Sequence, residues 1–173
     1  MKTTLLLLGT LTLAAIFVQD FRSREVSVYL FAILFLLGSA YHIQQSGFAE
    51  FTQQITINYL ILVVQFGLLL LYLLASRGKI YNPINKSLGI GDIVFFLSIV
   101  TWFKVEAFIL VYTISLVFSL MVWYLIKFYW SVRFNTVPLA GLASVFFLIV
   151  FILEMFLDNE MSITSGSFVY DLQ

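Results

Sequence analysis

Long apolar runs separated by short polar breaks organise this chain. The stretches from about Thr3 to Gln19, Val26 to His42, Ile55 to Ser76, Ala107 to Trp130 and Val137 to Leu157 meet or approach the roughly 17–25 apolar residues a helix needs to cross a bilayer. A sixth run, Gly91 to Phe103, is short for a span. It fits either a thinned part of the bilayer or a helix whose start is held by protein instead of lipid. The pattern predicts an all-α polytopic membrane protein, a bundle of six transmembrane helices forming one domain over residues 1–173. The polar stretches Gln44 to Gln54 and Arg77 to Lys86 read as loops, and no internal repeat or linker marks a second domain. Lys2 followed by leucines also looks like the start of a secretory signal peptide. No small-x-small site follows Ala15, however, and a short charged loop leads straight into the next apolar run, so the segment reads as a retained first span.

Composition strengthens the membrane reading. At 62% hydrophobic and 10% charged residues, the chain has too little polar surface for a soluble domain. Nine basic residues balance nine acidic ones and are scattered, which excludes a nucleic-acid surface. No cysteine is present, so disulfides, cysteine-based zinc sites and a thiol nucleophile are excluded together. With one histidine a His-rich metal site cannot be built, and the expectation is chemistry without metal or cofactor. Seven of the nine basic residues (Arg22, Arg24, Arg77, Lys79, Lys86, Lys127, Arg133) fall in the odd-numbered loops. Because basic residues favour the cytoplasmic side, both termini are expected on the non-cytoplasmic side.

In this threading two aspartates 72 residues apart reach one membrane face at similar depth. Asp20 ends the first run in Asp20-Phe21-Arg22-Ser23-Arg24, and Asp92 opens the fourth in Gly89-Ile90-Gly91-Asp92. Hydrolysis of a peptide by water needs a base for the water and an acid for the leaving nitrogen. Two carboxylates about 3 Å apart provide both, because like charges that close cannot both ionise and so share one proton. Glycines at 89 and 91 would let an extended substrate backbone approach Asp92. Each residue also has a plainer reading: Asp20 as a solvated loop acid, Asp92 as a partner of the positive helix end.

These motifs resemble the type IV prepilin peptidases, including small six-helix members that serve archaeal preflagellins and tight-adherence pili. Asp20, Arg22 and Arg24 are similar to the family's first motif, and Lys86, Gly89, Gly91 and Asp92 to its Gly-x-Gly-Asp motif. Val137-Pro138-Leu139 is similar to a proline-containing stretch entering the sixth helix. Ser27 departs from a usual proline and Val94 from a common lysine. The resemblance implies an aspartic endopeptidase with Asp20 and Asp92 catalytic, and Gly89, Gly91, Arg22, Arg24 and Lys86 toward substrate. The implied partner, beside the lipid bilayer, is a prepilin-like precursor with a short basic leader and an apolar helix, cut at the cytoplasmic face of the inner membrane. Large relatives carry a cysteine-bearing insert and methylate the new N-terminus. The short first loop without cysteine implies a peptidase with no methyltransferase activity.

Two alternatives remain beside this reading: a small transporter or channel subunit, and a catalytically inactive pilus-assembly relative. Other polar positions read as structural. Gln65 and Glu154 fit interhelical bonding and snorkelling, His42 and Glu106 fit solvated outer positions, and Trp102, Trp123, Tyr129 and Trp130 fit interfacial belts.

Overall fold

The computed structural model describes residues 2–23, 25–77, 89–130, 139–156 and 163–164. Six α-helices carry these residues: α1 (Lys2–Ser23), α2 (Val28–Ser46), α3 (Phe48–Arg77), α4 (Ile90–Ile99), α5 (Val105–Trp130) and α6 (Leu139–Phe156). No strand occurs among the described residues. All but α4 are long and apolar enough to cross a membrane, as expected of a multi-pass membrane protein. Inside lipid a helix satisfies its own backbone groups, so each apolar run folds locally and then packs one stripe inward.

That stripe is legible on α1, which buries Leu6, Gly9, Leu13, Ile16 and Asp20 at the three-and-four spacing that lines one helix face. It faces α6, the helix it contacts most. Ala140, Gly141, Ala143 and Ser144 are buried there, and such small residues let two backbones approach closely. The two helices run antiparallel: Asp20 meets the start of α6, while Lys2 lies 3.5 Å from Glu154 near the end of α6.

The short fourth run is held by protein at its end and not, as expected, at its start, where Gly89, Ile90 and Gly91 are exposed. Phe95, Phe96 and Ile99 of α4 are fully buried, as are Val100 and Phe103 in and after the following 3-10 turn (Val100–Trp102). A helix ending inside the bundle leaves carbonyls without intrahelical partners. Here neighbouring side chains satisfy them. Tyr59 Oη donates to the Leu97 carbonyl (3.1 Å), His42 Nδ1 to that of Thr101 (3.2 Å) and Asn58 Nδ2 to that of Phe103 (2.9 Å).

Several sequence expectations change. The stretch Gln44 to Gln54 is not a loop, because α2 continues to Ser46 and α3 begins at Phe48. The reversal is made by Gly47 alone at φ +81°, a backbone region that glycine enters without steric cost. Its N–H bonds the Ile43 carbonyl at 2.8 Å. The first helix continues through Asp20 to Ser23, since polar side chains do not end a helix that emerges from lipid. Ser23 Oγ donates to the Gln19 and Glu25 carbonyls, and Gln19 Oε1 accepts from Ser27 N, closing the turn into α2.

His42 is buried, not solvated, and its ring donates to the Thr101 carbonyl. Trp102 belongs to the core and not to an interfacial belt, with its indole N–H on the Leu34 carbonyl. Glu154 does not snorkel to water. It is buried and accepts bonds from Tyr41 Oη, the Ile163 and Thr164 amides and Thr164 Oγ1. Glu106 is exposed, as expected. Trp123 is half-buried, with Lys127 Nζ 4.9 Å from its ring centre.

Candidate active site

Asp20 stands in the last turn of α1 and Asp92 in the first turn of α4. These two helices meet through α6 more than along their own lengths. Asp20 Oδ2 accepts the Gly141 N–H at 2.7 Å, and Asp92 Oδ1 accepts the Ala140 N–H at 2.7 Å. Two carboxylates from separate helices therefore sit on consecutive amides of one helix start. Both amides belong to the first turn of α6, where backbone N–H groups have no intrahelical acceptor. The positive end of the helix dipole lies there too and offsets the repulsion between two acids. Hydrogen bonds from an N–H to a carboxylate are also among the stronger ones.

The pair is sheltered. Asp20 is 9% exposed and Asp92 half-buried. The Asp92 amide bonds the Gly89 carbonyl at 3.2 Å, so residue 89 forms the entry to α4. A Cβ on Gly89 would stand 2.9 Å from Asp92 Oδ2, whereas one on Gly91 would meet nothing within 4 Å beyond its chain neighbours and its own helix backbone. The two glycines thus differ: Gly89 makes room for the carboxylate, and Gly91 is exposed and faces open space. Arg22 is exposed on the same turn as Asp20. Arg24, Lys86, Val137 and Pro138 lie outside the described residues. On its side toward α2 and α3, α4 borders an apolar cavity of about 530 Å³ lined by Phe31, Phe35, Tyr59, Val63, Val94 and Leu97.

Reading the sequence missed Ala140 and Gly141, because backbone donors leave no mark in residue chemistry. The available signal was the run of small residues Ala140, Gly141, Ala143 and Ser144 opening a helix otherwise rich in large apolar residues.

The described residues thus form a helical bundle with five helices able to cross a membrane and two acids held at one helix start. The chain belongs to the type IV leader peptidase family, whose sequence profile matches residues 7–124. The matched stretch contains Asp20, Gly89, Gly91 and Asp92 and ends before α6. No curated protein and no solved structure matches the chain.

Proposed function

We propose that this protein is an aspartic endopeptidase that removes the short basic leader from type IV prepilin-like precursors. It acts at the cytoplasmic face of the inner membrane, with Asp20 and Asp92 as its acid and base and without methyltransferase activity. The observation that carries this reading is the placement of both carboxylates on the adjacent amides of Ala140 and Gly141.

The chemistry follows from that pairing. One carboxylate takes a proton from water as the water oxygen bonds to the scissile carbonyl carbon. The other, protonated, gives its proton to the leaving nitrogen as the carbon–nitrogen bond breaks. The products are a leader with a new carboxyl group and a mature chain with a new amine, and one proton again remains on the pair. The pair titrates as a unit, so the two roles belong to it jointly. The open space beside Gly91 is where an extended substrate backbone reaches Asp92. Exposed Arg22, with Arg24 and Lys86, orients the chain by charge and contributes to substrate binding.

Co-expression with a candidate prepilin tests the reading directly. A downward size shift of the precursor is expected with this protein and not without it, whereas a transporter would leave the precursor uncut. Gly91→Val is expected to lower kcat/KM by about 10²-fold, the scale of a small misplacement at a reacting centre. Its melting temperature should hold, since Gly91 is exposed and a Cβ there meets nothing beyond its chain neighbours and its own helix backbone; a fully active variant would remove Gly91 from the site. Detergent-purified enzyme treated with a chelator is expected to cleave at the untreated rate, because two carboxylates and water suffice. A loss restored by zinc would overturn that expectation.

A further inference from the structure

The helix that joins the two aspartates lies beyond the stretch matched to the family, which ends at residue 124. We propose that Gly141 is a positioning residue of the peptidase site: its amide and its missing side chain together set where the Asp20 carboxylate lies. The inference rests on the aspartic-peptidase reading above and extends it to α6.

Gly141 is helical, and a positive φ does not explain its identity, for among the described glycines it is Gly47 that adopts one. Close approach does. A Cβ on Gly141 would stand 2.5 Å from Asp20 Oδ2, 3.1 Å from its Cβ and 3.2 Å from its Cγ. All three contacts are with Asp20, so a side chain at 141 and the Asp20 carboxylate compete for one space. Retreat of the backbones is opposed from both sides. Leu13 and Ile16 are fully buried on α1, and Ala143 and Ser144 on α6. Ser144 Oγ also bonds the Gly141 carbonyl at 2.6 Å. The softest response is rotation of the Asp20 side chain off the Gly141 amide. That rotation separates it from Asp92, which stays on the amide of Ala140. One peptide unit thus spaces the acids, and a single methyl group upsets the spacing.

The test uses full-length purified Gly141→Ala, with kcat, KM and melting temperature measured on one preparation against the same prepilin. The expected result is a loss of about 10²-fold in kcat, with KM within about threefold. Simple loss of packing or of substrate affinity would instead move melting temperature or KM. If Gly141→Ala melts lower than wild type, the competition predicts relief in the Asp20→Gly background, where the opposing side chain is gone; coupling of this kind is what a double-mutant cycle isolates. A wild-type kcat in Gly141→Ala would overturn the proposal. So would a melting loss unchanged by Asp20→Gly. Running Asp20→Asn and Asp92→Asn alongside separates the two readings. If they cleave, the aspartic mechanism fails; if they are dead while Gly141→Ala is fully active, only the positioning role fails.

Discussion

Asp20→Asn and Asp92→Asn are each expected to reduce prepilin cleavage to background while leaving the protein folded and inserted. Positioned proton transfer contributes about 10²–10⁴-fold, and losing one member of a shared-proton pair removes both transfers. Asparagine keeps the shape of aspartate, and its side-chain oxygen still accepts from the amides of Gly141 or Ala140, which hold the native carboxylates at 2.7 Å. The junction of α1, α4 and α6 therefore persists while the chemistry stops. Gel separation of precursor and product, with a melting curve on the same sample, reads both halves of the prediction. Substantial cleavage by Asp20→Asn would falsify the paired-acid mechanism, since an acid with only a structural role on the Gly141 amide would tolerate the change.

The largest expected stability effect is at the other end of the bundle. Trp102 is 1% exposed and packs against Tyr41 and Phe151 with ring centres 5.3 and 4.5 Å away. Gly9 and Gly38 admit it: a Cβ on Gly9 would stand 2.6 Å from the indole, and one on Gly38 2.5 Å. Trp102→Ala leaves a cavity where α1, α2 and α6 converge and deletes the bond from Nε1 to the Leu34 carbonyl. Such truncations cost about 3–5 kcal/mol in soluble cores. The expected loss here is toward the lower value, about 3 kcal/mol, because helices separated in lipid still lie in an apolar medium and less transfer energy is at stake. Thermal melting in detergent measures it. Trp102→Phe keeps most of the ring packing and should lose about 1 kcal/mol, the net worth of one hydrogen bond. An alanine variant that melts like wild type would show that this junction does not hold the bundle.

How much of this was legible beforehand follows the physics of each feature. Five of the six helices could be read because lipid demands long apolar runs, and the pattern states them directly; α4 is an apolar run too short for that demand. Asp20 and Asp92 could be placed at one depth for the same reason. Which helices touch could not be read, since lipid-facing and protein-facing positions are equally apolar in such a chain. The stripe through Leu6, Leu13 and Ile16 looks like any other leucine-rich face. For His42, Trp102 and Glu154 residue type is no guide to water. Their burial follows from specific partners, namely the Thr101 carbonyl, the Leu34 carbonyl and the Ile163–Thr164 turn. Asn58, fully buried on α3, escaped notice because nothing in the chain announces the Phe103 carbonyl it serves.

The brevity of α4 has a consequence for biogenesis. Its ten residues and the following 3-10 turn span about 20 Å at helical rise, well short of the roughly 30 Å hydrocarbon layer. Such a segment is poorly retained in lipid alone, and the carbonyls of Leu97, Thr101 and Phe103 take donors from α2 and α3. It must therefore be received by helices already made. The amides that gather the two acids arrive later still, on α6. A half-synthesised chain thus holds both aspartates but not the amides that receive them, and on the proposed mechanism cleavage is expected only once α6 is in place.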